Sequence, residues 1–154
     1  MELTELISPE GVIPNLRVAS KKQALQELAK CAADLTGLDE RVIFDVLLER
    51  ERLGTTGIGN GIAIPHAKPP NLDRLYGLFA RLEKPINFDS LDGQPVDLIF
   101  LLLAPEGAGA DHLKALARVS RLLRNQRICE QLRRSKDAET LYARLMDSEA
   151  SRAA

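Results

Sequence analysis

Apolar residues recur with helical spacing in two consecutive stretches of the first third of the chain. Ser20 precedes the first stretch and Gly37 follows it, whereas Asp39 precedes the second and Gly54 follows it. Serine and aspartate commonly cap helix N-termini, and glycine commonly ends helices. The pattern therefore predicts two successive helices. The apolar positions expected to face inward are Leu25, Leu28, Ala29, Ala32, Leu35, Val42, Ile43, Val46, Leu47 and Leu53.

Short apolar runs in the middle of the chain predict β-strands. The longest of them, Leu98–Ala104, indicates a fully buried central strand. Asp92 and Gly93, which precede this run, are typical of a turn. The predicted strands are residues 12–18, broken at Pro14, residues 62–64, ended by Pro65, residues 75–82 and residues 96–104.

Helical spacing returns in three segments of the last third of the chain. These helices are predicted to begin at Ala110 or Asp111, after Asn125 and near Asp137. Their expected inward positions are Leu113, Leu116, Ala117, Ser120, Leu123, Ile128, Cys129, Leu132, Leu141, Tyr142 and Leu145. Because strands and helices alternate, we expect an α/β fold with helices on both faces of a mixed or parallel sheet. Residues 1–147 are predicted to form one domain, and residues 148–154 a flexible C-terminal tail.

The charge balance and the lack of long apolar runs exclude some classes of function. The 154 residues include 21 Lys and Arg and 22 Asp and Glu, which gives a formal net charge of −1. Nucleic-acid binding usually needs a basic excess or stripe, so it is disfavoured. No apolar run reaches the roughly 18 residues of a membrane span, and the first residues lack the apolar core of an export signal. With only two cysteines, far apart and expected to be reduced, we expect a cytoplasmic protein.

The segment 55–68 is the most unusual local feature, because Gly57, Gly59 and Gly61 alternate within it. These glycines lead into a strand and no Lys-Ser or Lys-Thr follows them, which argues against a nucleotide site. The two histidines, His66 and His112, lie in no metal-binding spacing, and no serine lies in a hydrolase elbow. The sequence therefore predicts neither a metal nor a cofactor.

The residues near this segment suit phosphoryl chemistry. His66 follows Pro65 at the end of a predicted strand at the sheet edge, and a neutral imidazole can act as a nucleophile. His112 lies at a predicted helix N-terminus, where the dipole keeps the ring neutral and favours an anion. Arg50 precedes the glycine segment and can pair with phosphate oxygens. Phosphoryl transfer needs mainly positioning and charge neutralisation, which such a set supplies.

The same residues also have plainer interpretations. His66 could be a structural residue at a strand end, and His112 a helix cap or a surface residue. Arg50 and Arg52 could form a solvated helix end that complements the helix dipole. The glycines could form only a tight loop. On the residues alone, a phosphohistidine domain and a binding domain both stay open.

Two long segments resemble a known protein family. Residues 53–68 read LGTTGIGNGIAIPHAK and are similar to the active-site signature of enzyme IIA domains, fructose/mannitol class, of the phosphoenolpyruvate-dependent phosphotransferase system. Residues 88–105 read FDSLDGQPVDLIFLLLAP and are similar to the corresponding region of the nitrogen-regulatory branch. Residues 21–25 and 141–142 also fit that branch. The resemblance extends from about residue 3 to residue 147 and implies a mixed sheet of about five strands flanked by helices.

The resemblance also implies roles for individual residues. His66 would accept a phosphoryl group on its Nε2 atom, and Arg50 and His112 would stabilise that group. The implied donor is a small histidine-containing phosphocarrier protein, charged from phosphoenolpyruvate by an enzyme I. The residues implied to complete the phosphate site, through loop amides or side chains, are Thr56, Gly57 and Asn60.

The branch implies a regulatory role. The phosphorylation state would control partner proteins such as potassium-transport regulators or sensor kinases. Some sugar-specific members carry a carboxylate where this chain has Asn60, and a neutral amide adds no negative charge beside a phosphohistidine. This favours the regulatory branch. Two alternatives stay open: a fructose-type enzyme IIA that passes the phosphoryl group to an enzyme IIB, and an interaction module of the same fold without transfer activity.

Overall fold

One mixed sheet organises the part of the chain that the structure describes. The structure is a computed structural model that describes residues 2–153, with the side chains of residues 2–147. Its strands are β1 (Val12–Leu16), β2 (Gly57–Gly59), β3 (Ile62–Ala63), β4 (His66–Ala67), β5 (Tyr76–Ile86) and β6 (Val96–Leu103). The order across the sheet is β1-β5-β6-β3-β2, and β4 also pairs with β6. β5 is antiparallel to β6, whereas β3 and β4 run parallel to β6 and β1 runs parallel to β5.

The predicted helix caps are confirmed. The helices are α1 (Leu3–Leu6), α2 (Lys21–Thr36), α3 (Glu40–Leu53), α4 (Ala110–Leu123), α5 (Gln126–Arg134) and α6 (Ala138–Ala153), and a 3-10 turn spans Pro9–Gly11. The side chains of Ser20, Asp39 and Asn125 accept hydrogen bonds from backbone amides in the first turns of α2, α3 and α5. Gly37 ends α2 at a φ of 77°, a left-handed conformation that glycine adopts without strain.

Helices cover both faces of the sheet, as predicted. Successive side chains of β6 point to opposite faces. Ile99, Leu101 and Leu103 pack in one apolar cluster with α2 and α3. Leu98, Phe100 and Leu102 pack in a second cluster with α1, α4, α5 and α6. These six side chains are all buried, which confirms the prediction of a fully buried central strand.

The effect of proline on two strands differs from the prediction. β1 continues through Pro14, because β1 is an edge strand and a missing amide donor is tolerated there. The strand predicted at residues 62–64 is β3, which ends at Ala63, and a further short strand that was not predicted, β4, follows Pro65. The expectation that this strand lies at the sheet edge is wrong for β3, which lies between β6 and β2.

Four predicted inward residues are exposed: Val42, Leu53, Leu113 and Ala117. Val42, Leu53 and Leu113 are 38%, 84% and 66% exposed. In α4 the buried face consists of His112, Ala115, Val119, Leu122 and Leu123. The helix is therefore rotated relative to the prediction, because its apolar residues are numerous enough to suggest two overlapping faces and only packing selects one.

The chain ends in α6, which runs to Ala153. The backbone of the predicted tail is thus helical up to that residue, Ala154 lies outside the described residues, and the tail's flexibility stays a prediction. Cys31 and Cys129 are free thiols, half-buried and buried. In the described part of the chain, none of the helices combines the length and the apolar character that a bilayer crossing needs.

Candidate functional site

His66 is the first residue of β4, immediately after Pro65. His66 pairs with Leu102 of β6. Ile62 pairs with Leu98, four residues earlier in the same strand. The segment before β2 runs beside it, because the Ile64 amide donates to the Thr56 carbonyl at 3.0 Å. Helix α3 also packs against β4, the strand that carries His66.

A single hydrogen bond sets the tautomer of the His66 ring. Its Nδ1 atom lies 2.9 Å from the carbonyl oxygen of Ile64. A carbonyl oxygen can only accept, so Nδ1 carries a proton and donates it. In the neutral ring Nε2 then keeps its lone pair. Since His66 is only partly buried, this arrangement leaves Nε2 as the nucleophilic atom of the ring.

The surroundings of His66 favour the neutral ring. Burial lowers the pKa of His66 below the ordinary value of 6.5. The bond to the Ile64 carbonyl raises this pKa, the charge of Arg50 lowers it, and the charge of Glu51 raises it. The net direction is downward, so the imidazole is mostly unprotonated at pH 7, which is the form that can attack an electrophile.

His112 faces His66 from the first turn of α4. The two ring centroids lie 5.6 Å apart, with the planes tilted by 50°. Burial lowers the pKa of His112, and the charges of His66 and Lys68 lower it further. The lowered pKa favours the neutral state predicted for this ring, with burial as its main cause. Its Nδ1 atom is buried and has no hydrogen-bond partner among the described residues, which is typical of a functional position.

Arg50 comes from the last turn of α3. Its Nη1 atom donates to the Gly54 carbonyl at 2.9 Å, two residues before Thr56, whose carbonyl accepts from the Ile64 amide. A guanidinium has five N–H donors, so this bond uses only part of its capacity. The influence of its charge on the pKa of His66 agrees with this proximity. The structure thus brings together the three residues His66, His112 and Arg50.

Thr56 and Gly57 use their hydrogen-bond donors to hold the loop that follows α3 in place. Thr56 is buried, and its hydroxyl and amide both donate to the carboxylate of Glu51. The Gly57 amide donates to the Thr55 hydroxyl at 3.0 Å. The Thr56 donors therefore hold the loop against α3, and the Gly57 amide is engaged within the loop.

Asn60 lies apart from the histidines, at the turn between β2 and β3. Its amide donates to Asp92 at 2.9 Å and its carbonyl accepts from Arg133 at 2.7 Å. The β6 partners of Ile62 and His66 are four residues apart, which corresponds to about 13 Å along the strand. A charge at residue 60 would therefore be strongly screened before it reached His66. The structure does not bring Asn60 into the histidine site.

Sequence reasoning missed two contributors to the site. The Ile64 carbonyl is a backbone group and carries no signal in the sequence. Glu51 does carry one, because it follows the buried residues Ile43 and Leu47 at steps of four along α3, which puts a carboxylate on an apolar helix face. Among the described residues no group of three or more His, Cys, Asp or Glu side chains is arranged to hold a metal ion.

Comparisons with known proteins agree on one family. Residues 5–148 match a family described as phosphoenolpyruvate-dependent sugar phosphotransferase system, EIIA 2. The chain is 64% identical over 143 residues to a nitrogen regulatory protein of Bradyrhizobium diazoefficiens, covering 93% of this chain and 94% of the relative. It is 39% identical over 124 residues to a fructose-specific EIIA component of Haloferax volcanii, covering 80% of each. The crystal structure of nitrogen regulatory protein IIA-Ntr from Neisseria meningitidis matches with a TM-score of 0.88 and 34% identity, covering 93% of this chain and 98% of that one.

Proposed function

The chain belongs to the EIIA 2 family of the phosphoenolpyruvate-dependent sugar phosphotransferase system, and on this premise we propose that it accepts a phosphoryl group on Nε2 of His66 and regulates partner proteins according to its phosphorylation state. Its similarity to proteins named nitrogen regulatory protein supports the nitrogen branch. The donor is a phosphohistidine on a small carrier protein. The cytoplasmic location stays a prediction from the sequence.

The observation that supports this proposal best is the bond from His66 Nδ1–H to the Ile64 carbonyl. It holds the ring in one tautomer and one direction, with the lone pair of Nε2 available for attack. A structural histidine has no need of a free Nε2 atom beside a second neutral imidazole and a guanidinium. The lowered pKa of His66 keeps the ring in the reactive form at pH 7.

Transfer is an in-line displacement at phosphorus. Nε2 of His66 forms a new N–P bond while the N–P bond to the carrier's histidine breaks, and the leaving imidazole keeps that electron pair. Positive charge that develops on the His66 ring is stabilised by the Ile64 carbonyl, which already accepts the Nδ1 proton. Arg50 then neutralises charge on the phosphoryl oxygens and an N–H of the neutral His112 ring donates a hydrogen bond to them, most strongly as charge shifts in the transition state.

Phosphorylation changes the charge of the surface around the site. A phosphoryl group adds about two negative charges to a chain whose formal net charge is −1. A partner that binds this face therefore meets a different potential in each state, without a change of fold. Potassium-transport regulators and sensor kinases stay predictions for these partners.

The proposal is tested by intact mass after incubation with phosphoenolpyruvate, enzyme I and the phosphocarrier. We expect the wild-type chain to gain one phosphoryl group that is labile to acid and stable to base. The His66→Ala variant is expected to stay folded and to gain none. Retention of the added mass in this variant would show that another residue is the acceptor. No added mass in the wild type, with a carrier shown to charge another acceptor, would favour the interaction module.

A sugar-transport role is the second candidate, because the Haloferax volcanii relative is named as fructose-specific. In that role the phosphoryl group would move on to an enzyme IIB and then to a sugar. The two roles separate when the phosphorylated chain is mixed with a fructose-type enzyme IIB. A phosphoprotein that persists under these conditions supports the regulatory role, and rapid loss of the phosphoryl group to enzyme IIB supports sugar transport.

A further inference from the structure

A buried carboxylate lies behind the site, and the description above gives it one role, an electrostatic effect on the pKa of His66. The side chain of Glu51 is only 3% exposed. Its Oε1 atom accepts from the Thr56 amide at 3.0 Å, and its Oε2 atom accepts from the Thr56 hydroxyl. Lys21, the first residue of α2, places its ammonium 3.0 Å from Oε1. Glu51 therefore ties the loop after α3 to two helices.

The hydrogen bonds continue from Thr56 to the ring of His66. The Thr56 carbonyl accepts from the Ile64 amide at 3.0 Å, and the Ile64 carbonyl in turn accepts from Nδ1 of His66 at 2.9 Å. Each link fixes the residue that makes the next link. The position of the Ile64 carbonyl, and with it the direction of Nε2, thus depends on where Thr56 is held.

Arg50 depends on the same loop, because it donates to the carbonyl of Gly54, between Glu51 and Thr56. The Gly54 amide donates to the backbone carbonyl of Glu51 at 3.2 Å. A shift of residues 54–56 would therefore displace both the guanidinium and the imidazole. A buried ion pair is by itself a weak source of stability, so the main consequence of the Lys21–Glu51 pair is geometric.

We propose that Glu51 is a positioning residue for phosphoryl acceptance: its carboxylate, paired with Lys21, holds Thr56 and through Thr56 and Ile64 sets the tautomer and direction of His66. This inference rests on the proposed function. Glu51 touches neither the phosphoryl group nor the reacting nitrogen. Errors of about 1 Å at a reacting atom cost on the order of 100-fold in rate, so a residue that acts only through the loop has a measurable effect.

The test compares Glu51→Ala and Glu51→Gln with a matched control, Asp97→Asn. Asp97 forms another partly buried ion pair, with Arg133 at 2.8 Å, near the Asn60 turn and away from His66. Three quantities are measured: the rate of phosphoryl acceptance at saturating carrier, the thermal midpoint, and the fraction of His66 rings protonated at Nδ1, from nitrogen-15 NMR of the unphosphorylated chain.

We expect Glu51→Ala to slow acceptance by about 10-fold or more and to lower the Nδ1-protonated fraction of His66. Glu51→Gln keeps one acceptor oxygen for Thr56 and should lie between Glu51→Ala and the wild type. Asp97→Asn should lower the thermal midpoint yet stay within about twofold of the wild-type rate.

The proposal is overturned if Glu51→Ala transfers at the wild-type rate, or if Asp97→Asn slows transfer as much. If Glu51→Ala does not fold, a wild-type rate in Glu51→Gln overturns it equally. A wild-type chain that accepts no phosphoryl group contradicts the proposed function instead. In that case the NMR measurement still decides whether Glu51 sets the tautomer of His66.

Discussion

His66 and His112 face each other with ring centroids 5.6 Å apart and planes tilted by 50°. The charge of His66 lowers the pKa of His112, in addition to the larger effect of burial. A proton on His66 therefore disfavours a proton on His112. The consequence is a site that presents two neutral imidazoles at neutral pH.

This coupling predicts the behaviour of His112 when His66 is replaced. In His66→Gln the pKa of His112 should rise, because the neighbouring charge is gone. It should still lie below 6.5, because the burial that dominates its shift is unchanged. The measurement is an NMR titration of His112 in the variant and the wild type. An unchanged or lower pKa would show that the rings do not interact.

The same pKa shifts predict how stability depends on pH. Both folded-state pKa values are lowered, so below about pH 6.5 the unfolded chain binds more protons than the folded chain. The free energy of unfolding should therefore fall as the pH drops from 7.5 to 5.5, by at most about 1.4 kcal/mol per pH unit for each ring. Urea unfolding at both pH values checks this. The double variant His66→Gln, His112→Asn should show a flatter dependence, and an equally steep one would assign it to other groups.

Arg50 is expected to act on both the charge and the geometry of the site. Arg50→Gln should raise the pKa of His66, since the Arg50 charge lowers it. It should also slow phosphoryl acceptance by on the order of 100-fold, the usual effect of removing one donor to a transition-state charge. Arg52→Gln is the matched control, two residues along α3 and exposed. Equal losses in the two variants would point to net charge rather than to Arg50.

The sequence predicted the features that depend on local chemistry. Capping by Ser20 and Asp39 follows from side chains that reach amides two or three residues away. The buried strand β6 follows from its apolar run. The roles of His66 and Arg50, which a long signature implies, stay predictions. The contacts of Thr56 did not follow, because its donors are taken by a carboxylate whose position depends on how α3 ends against α2.

The rotation of α3 and α4 about their own axes was the other feature that only packing could decide. Leu53 and Leu113 fit the helical spacing, yet α3 and α4 turn them outward. Leu53 lies three residues after Arg50, on the same side of α3, and Leu113 directly follows His112. Two of the residues that contradict the inward prediction therefore lie close in sequence to Arg50 and His112.

These leucines are expected to contact the phosphocarrier. The variant Leu53→Ser, Leu113→Ser should weaken binding of the carrier by about 10-fold or more, because exposed apolar anchors supply much of an interface's affinity. The rate at saturating carrier and the thermal midpoint should stay near the wild-type values. Val42→Ser, at the opposite end of α3, is the control. Unchanged carrier affinity in the double variant would place the docking face elsewhere.

Gly57 is expected to be intolerant of a side chain because of a close approach to the loop after β5. A Cβ atom at Gly57 would lie 2.5 Å from the Ser90 hydroxyl oxygen and 3.0 Å from the Ser90 Cα atom. Gly57→Ala should therefore lower the free energy of unfolding by about 1–3 kcal/mol, measured by urea unfolding. Gly107→Ala is the matched control, since a Cβ there meets nothing within 4 Å, and its change should stay within about 0.5 kcal/mol. Adding Ser90→Ala to Gly57→Ala removes the hydroxyl but leaves the clash with the Ser90 backbone, so stability should recover only in part. Equal stabilities of the Gly57→Ala and Gly107→Ala variants would show that the loop yields at no cost.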